Sequence, residues 1–250
     1  MANKTSFGFK KVTENVKAKL VKDVFSSVAK KYDLMNDLMS FGIHRLWKDK
    51  LINKIKLKDN LNIIDMAGGT GDIAFRLYKK LNNHYDKFDI VVADCSEDMI
   101  EEGKRRAIDQ NIIDARISWQ VEDGEQSSFK NGEFDVYTIA YGIRNFANIE
   151  NGLQEAYRIL KSGGQFLCLE FSAVDNVLLK KFYDFYSFKV IPRIGKLVTD
   201  DSSSYQYFVE SIRMFPKPDQ FVEMIREAGF KQVEVVNLTG GITSLYSARK

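Results

Sequence analysis

Two hydrophobic periods take turns along the chain. Leu61–Met66 is an apolar run of strand length, followed by glycines and then by apolar positions at helical spacing from Asp72 to Leu81. Phe88–Ala93 starts the unit again, ending at Asp94, and Glu97–Gln110 carries the second helical pattern, with Ser96 as its N-cap. Ala115–Val121 and Phe134–Ala140 read as a third and a fourth strand. Ile149–Leu160 reads as a helix stopped by Ser162-Gly163-Gly164, and Gln165–Phe171 as a fifth strand. Strands that alternate with helices in this way predict a parallel sheet covered on both faces, an α/β fold.

The last third departs from that rhythm. Residues 174–215 are helical in period, and ten aromatic side chains fall between Phe171 and Phe215. Pro218–Ala228 reads as a helix closed by Gly229. Two more strands, Gln232–Leu238 and Ile242–Ala248, are separated only by Thr239-Gly240-Gly241. Parallel neighbours need a crossover of about a dozen residues or more, so this link forces a hairpin. The prediction is a Rossmann-like, mostly parallel seven-stranded sheet ending in an antiparallel pair, within one domain over residues 1–250. Its parts are an N-terminal helical arm or lid (1–57), a cofactor-binding core (58–171), an aromatic helical insertion (172–216), and a terminal helix and hairpin (217–250).

Composition narrows the class. The 250 residues, 44% hydrophobic and 28% charged, fit one domain with a full core. The polar, basic start predicts no secretory leader, and no stretch nears the roughly 18 apolar residues of a membrane span. Cys95 and Cys168, the two cysteines, predict a reducing, cytoplasmic setting with no disulfide framework. Two histidines and no Cys-x-x-Cys leave no metal site. A net charge of +3 does not argue for nucleic acid. Residues 1–31 nevertheless hold eight lysines against Glu14 and Asp23. That arm is either solvated and partly helical, or a basic contact that makes the protein peripheral at the inner membrane face.

The candidate chemistry lies at the first strand-to-helix turn, Asp65-Met66-Ala67-Gly68-Gly69-Thr70-Gly71-Asp72. Glycines there admit a ligand to the backbone, and in open parallel sheets nucleotides bind at this crevice. Gly69-Thr70-Gly71-Asp72-Ile73-Ala74 also satisfies a dinucleotide fingerprint, and Asp94 would hold ribose hydroxyls in either case. Three features favour S-adenosyl-L-methionine over NAD. Asp65 and Asp72 suit a ligand carrying an ammonium and a sulfonium, and would repel a pyrophosphate. Glu122-Asp123-Gly124 follows the third strand, where an acid reaches an adenine amino group. The terminal hairpin is a methyltransferase trait. The bland alternatives are a glycine turn without ligand, a helix cap at Asp94 and a solvated acid at Asp123.

Residues 32–47 fit the pattern Y-D-x-M-N-x-x-[aliphatic]-S-x-x-x-H-x-x-W, from Tyr32 through Ser40 and His44 to Trp47. Tyr141-Gly142-Ile143-Arg144-Asn145, the stretch ending in Glu170-Phe171-Ser172, Tyr186-Ser187-Phe188, Ile191-Pro192-Arg193-Ile194-Gly195 and Glu210-Ser211-Ile212-Arg213 add to it. Together they resemble the ubiquinone/menaquinone biosynthesis C-methyltransferases, from about Phe7 to Ala248. Three positions depart from that pattern: Ser162 stands for a usual proline, Ser127-Ser128-Phe129 for Leu-Pro-Phe, and Ala140 for a frequent serine near the cofactor.

The resemblance implies a class I S-adenosylmethionine-dependent enzyme that methylates a ring carbon of a prenylated quinol. It carries Thr70, Asp94, Asp123 and Gly124 over as cofactor contacts, beside Asp65, Gly68, Gly69, Gly71 and Ala140. It carries Arg144 and Asn145 over to the reaction side. Arg144 is expected to stabilise a phenolate, with a water held by Arg144 and Asn145 as base, since a guanidinium is a poor base. His44 is either a base or a lid residue packed near Trp47, and Tyr32 either orients the quinol hydroxyl or packs in the lid. Phe182, Tyr183, Phe185, Tyr186 and Phe188, beside Lys180, Lys181, Lys189, Arg193 and Lys196, would line a prenyl channel or meet lipid, or else pack as an ordinary insertion. A homodimer or a quinone-biosynthesis complex fits the same reading. The rivals are a methyltransferase of another small molecule or of RNA, and a non-catalytic scaffold.

Overall fold

The structure, a computed structural model, describes residues 4–29, 34, 36, 37, 40, 42–172, 174 and 202–250. The chain opens with a hairpin of β1 (Lys4–Phe7) and β2 (Lys10–Thr13), then α1 (Glu14–Val28) and α2 (His44–Lys54). The alternating part runs β3 (Leu61–Met66), α3 (Asp72–Asn82), β4 (Phe88–Asp94), α4 (Glu97–Asp109), β5 (Ile117–Val121), β6 (Phe134–Ala140), α5 (Ile149–Ile159) and β7 (Leu160–Phe171). After the aromatic block come α6 (Ser202–Met214), α7 (Pro218–Glu227), β8 (Lys231–Leu238) and β9 (Thr243–Arg249).

The main sheet has seven strands in the order β5-β4-β3-β6-β7-β9-β8. Strands β5 to β7 are parallel, and β9 runs antiparallel to both β7 and β8, as the short link requires. Alternate residues of β3 feed two cores. Leu61 and Ile63 join Trp47, Leu51 and Leu77 on one face, and Ile64 and Met66 join Tyr137, Leu153 and Phe221 on the other. Because both faces are covered, the central strands are continuous apolar runs. Strand order reverses between β3 and β6, which opens a crevice at their carboxyl ends.

Local rules account for several boundaries. The Ser96 hydroxyl accepts from the Met99 N–H and caps α4, and Asn148 does the same for α5 through Asn151. Two elements differ from the sequence pattern. Helix α5 ends at Ile159 and β7 begins at once, so Ser162-Gly163-Gly164 forms a bulge inside a strand instead of a helix stop. The register jumps there: Phe134 pairs with Leu160, but Val136 pairs with Gln165. The second difference is β1–β2, in a stretch whose lysines conceal a short alternation. Its support is tertiary: the Phe7 ring stacks on Tyr207 of α6 at 4.1 Å, and the Phe9 N–H donates to Glu210.

Gly71 sets the entry to α3. Its φ is +82°, and a Cβ there would stand 2.6 Å from the Trp119 ring. Alanine would meet both the left-handed backbone and the indole. We expect Gly71→Ala to lower unfolding free energy by about 1–3 kcal/mol. Urea denaturation followed by circular dichroism checks this, and an unchanged midpoint would contradict the close-packed turn.

Candidate active site

The carboxyl ends of β3, β4, β5 and β6 surround a cavity of about 380 Å³. Asp65, Gly68, Gly69 and Thr70 line it from the β3 end, and Asp94 from β4. Asp123 and Gly124 follow β5, while Ala140 and Asn145 come from β6 and the turn after it. Gly71, at the β3–α3 turn, is not among the lining residues and shapes that turn from behind them. Tyr32 lies outside the described residues, as do Phe182, Tyr183, Phe185, Tyr186 and Phe188 with Lys180, Lys181, Lys189, Arg193 and Lys196.

The β3 turn is built for backbone approach. A Cβ on Gly68 would stand 2.8 Å from the Asp65 carbonyl oxygen and 2.8 Å from Val92. Two other residues on the cavity wall hold left-handed backbone without being glycine: Ala67 (φ +49°) and Tyr141 (φ +61°). They end the adjacent strands β3 and β6. Strain of this kind persists where surrounding contacts impose it, and here it marks the crevice.

The two buried acids differ in their partners. Asp65 accepts from the Thr138 hydroxyl through Oδ1 at 2.9 Å, while its buried Oδ2 has no partner among the described residues. Burial, opposed by the Thr138 bond, raises its carboxyl to about 7. Asp94 accepts from the Gly69 N–H at 3.0 Å and the Ser96 N–H at 2.9 Å. Burial raises it to about 6, with those two bonds opposing. Each Asp94 oxygen keeps a lone pair for a diol. Asp72 is different. Burial opposes its ionisation, but the Lys48 and Arg76 cations outweigh that and hold its carboxyl well below the usual range. Its charge is therefore matched inside the protein, whereas Asp65 Oδ2 has no partner among the described residues.

The loop after β5 is latched by neighbours. Glu125 accepts from the N–H groups of Ala147 (2.6 Å) and Asn148 (2.9 Å). Ser127 bonds Glu155 and Ser128 bonds Glu122, so these serines tie the loop through carboxylates.

The residues expected on the reaction side divide: Asn145 lines this cavity, whereas Arg144 and His44 do not. Arg144 forms a buried ion pair with Glu170 at 2.8 Å, the two side chains being 1% and 0% exposed. Its Nη1 also donates to the Tyr141 carbonyl, its Nε donates to Ser211 at 3.3 Å, and its guanidinium lies 4.3 Å from the Phe208 ring. Its Nη2 is buried with no partner among the described residues. Arg144 lines a second cavity of about 330 Å³, and Phe146 and Ala147 stand between the two. Asn145 lines the cofactor cavity and accepts from the Tyr207 hydroxyl at 2.9 Å. His44 lines neither cavity. Its Nε2 is 2.8 Å from Asp37, its backbone N–H donates to Ser40, and its buried Nδ1 has no partner among the described residues. Burial and the Lys48 charge lower its pKa, so it is neutral near neutral pH.

Sequence reasoning missed Lys48, Glu170, Tyr207 and Lys17. Lys17, one of the arm's eight lysines, is buried against the Arg144 carbonyl, and burial lowers its pKa to about 8. A buried lysine at a helical apolar position is a signal the sequence offered. The others depend on contacts distant in sequence.

A reversed α/β sheet with a terminal antiparallel pair, and buried acids at the ends of its first two core strands, define a class I S-adenosylmethionine-dependent methyltransferase. The comparisons agree. The chain belongs to the ubiE/COQ5 methyltransferase family, whose model matches residues 12–250. It is 51% identical to the mitochondrial 2-methoxy-6-polyprenyl-1,4-benzoquinol methylase of Oryza sativa subsp. japonica, over 98% of this chain and 88% of that protein. It is 50% identical to the ubiquinone/menaquinone biosynthesis C-methyltransferase UbiE of Rickettsia bellii, over 99% of both chains. Among solved structures, an Aquifex aeolicus SAM-dependent methyltransferase superposes with a TM-score of 0.60 at 13% identity, over 87% of this chain and 97% of that one. At that identity the likeness is one of fold.

If Asp65 meets the ligand ammonium, cofactor affinity is expected to depend on pH. Its raised carboxyl is largely protonated below about pH 7, and an incoming ammonium favours the ionised form. Affinity for S-adenosylmethionine should therefore weaken as pH falls below about 7, by up to roughly tenfold per unit, with proton release on binding. Calorimetry in buffers of different ionisation enthalpy reads both. Asp65→Asn should remove the proton release, and a slope that survives in that variant would assign it elsewhere.

Proposed function

We propose that the protein transfers a methyl group from S-adenosylmethionine to a ring carbon of a prenylated quinol, in ubiquinone or menaquinone biosynthesis. The observation that carries this is near-full-length identity of about one half to proteins named for those reactions. An intact cofactor crevice argues against a scaffold, which has no need of a buried acid with an open oxygen.

S-adenosylmethionine supplies an electrophilic sulfonium methyl when bound. The protein's task is to align the ring and stabilise phenolate charge, because a quinol carbon is a weak nucleophile until a neighbouring hydroxyl ionises. Asn145 is fixed for this. Tyr207 occupies its carbonyl oxygen, which turns the amide N–H groups toward Tyr141 and the cavity. Arg144 offers Nη2 as the one guanidinium nitrogen without a partner, directed in this reading to the phenolate oxygen. With Nη1 and Nε engaged, it also holds the turn that presents Asn145. A water held by Arg144 and Asn145 takes the hydroxyl proton, and the ring proton displaced at the methylated carbon leaves to solvent through the same water, which restores the aromatic ring. His44 is tied to Asp37 and Ser40, and its neutral Nδ1 can also accept a proton.

A prenylated substrate comes from a bilayer, so the proposal includes a peripheral membrane contact. Phe9 is 58% exposed at the tip of the β1–β2 hairpin, next to exposed Lys10 and Lys11. An aromatic flanked by lysines suits the headgroup region. The hairpin in turn rests on Tyr207, the partner of Asn145.

Protein incubated with methyl-labelled S-adenosylmethionine should label a ring carbon of a reduced demethylmenaquinol analogue or of a 2-polyprenyl-6-methoxy-benzoquinol analogue. Arg144→Lys keeps a cation beside Glu170 but loses the fork, and should cut turnover by roughly 10- to 100-fold while cofactor binding persists. Cofactor binding without label on either quinol would sink the quinone assignment and leave the fold class standing.

A further inference from the structure

The order of strands orders the cofactor cavity. Asp123 and Gly124 occupy the β5 end, Asp94 the β4 end, and Asp65 the β3 end. With adenine at the first and ribose at the second, the amino-acid end of S-adenosylmethionine falls at the third. That end is a zwitterion, so its site needs an acceptor for the ammonium and a donor for the carboxylate. Asp65 Oδ2 is the open acceptor.

The donor comes from outside the sheet. Lys48 projects from α2, its side chain is 6% exposed, and it lines the same cavity beside Asp65 and Asp72. Its ammonium donates to Asp72 Oδ2 at 2.8 Å, which accounts for one of three N–H groups. Asp72 does not depend on that bond alone, since Arg76 Nε meets its other oxygen at 3.0 Å. The remaining cations are placed elsewhere. Arg76 is also held by Asp49, and Arg106 is held by Thr70. Lys19 and Lys22 line the cavity from α1, whose helix packs on α4 at the ribose end. Helix α2 itself is fixed by Trp47, Leu51 and Ile52 in the core, so Lys48 is carried on a rigid support.

We propose that Lys48 binds the carboxylate of S-adenosylmethionine, opposite Asp65 at the ammonium, and so joins the cofactor to the helix that ends the Tyr32–Trp47 signature. The signature segment and the cofactor then meet on one helix: His44 holds Asp37 and Ser40, and one turn later Lys48 holds the ligand. This rests on S-adenosylmethionine as the cofactor and adds a contact from outside the glycine turn.

Decarboxylated S-adenosylmethionine keeps the adenine, ribose, sulfonium and ammonium and lacks only the carboxylate. Calorimetry on the full chain should give S-adenosylmethionine a roughly 10- to 100-fold advantage over it, the range for a charge-assisted hydrogen bond. Lys48→Met should abolish that preference, even where loss of the cation beside Asp65 and Asp72 weakens both ligands together. A Lys48 that only braces Asp72 would, when replaced, weaken both ligands equally and leave the preference intact, which overturns the proposal. If Lys48→Met does not fold, the pair Asp72→Asn and Asp72→Asn/Lys48→Gln decides, because no lysine or carboxylate is then orphaned by the second change. Preference kept in the single variant and lost in the double supports the anchor, and preference in both refutes it. A wild type that binds both ligands equally refutes the anchor alone, whereas one that binds neither removes the cofactor reading with it.

Discussion

The ion pair between Arg144 and Glu170 is the constraint around which the catalytic side of the molecule is arranged. Both side chains are excluded from water, which costs several kcal/mol per ion unless each is fully engaged. Glu170 sits near the end of β7 and also accepts from the Phe171 N–H. Arg144 sits in the turn after β6 and reaches the Tyr141 carbonyl, Ser211 and the Phe208 ring. The pair thus locks the turn carrying Asn145 to the sheet on one side and to α6 on the other. Tyr141, left-handed at the start of that turn, is held there by these contacts.

The cofactor side follows a different logic, in which charge is left incomplete. Asp65 and Asp94 are buried without a cation bonded to them, and both are raised far above ordinary carboxyls. Asp72, one turn of chain away, has two cations and behaves oppositely. A site shaped for a cationic ligand needs this asymmetry. A fully compensated acid would give the ligand little, and a fully uncompensated pair would favour protonation over binding.

The N-terminal segment connects the two sides. Helix α1 brings Lys17 to the Arg144 carbonyl, α2 brings Lys48 to the cofactor crevice, and β1–β2 brings Phe7 to Tyr207. The elements that come before the first core strand therefore touch every functional residue cluster among the described residues. The sheet beneath them is a fold shared with distant methyltransferases.

Hydrophobic period and turn chemistry alone determined the order and type of the core elements. Apolar runs such as Leu61–Met66 can only be central strands, and a three-residue link at Thr239–Gly241 can only make a hairpin. The same local signals exposed the glycine turn, Asp65 and Asp94, because a ligand-binding turn is continuous in sequence. What each acid does was decided by tertiary structure. Asp65 and Asp72 look alike in sequence, and only the arrival of Lys48 from α2 and Arg76 from α3 separates an open acid from a neutralised one. Arg144 was legible as a functional residue, but its burial against Glu170, 26 positions away, was not. Nor was the hairpin at the start of the chain, whose stacking partner Tyr207 lies at the far end of the sequence. Charge and burial are sums over neighbours in space, and those neighbours are fixed only when the sheet has closed.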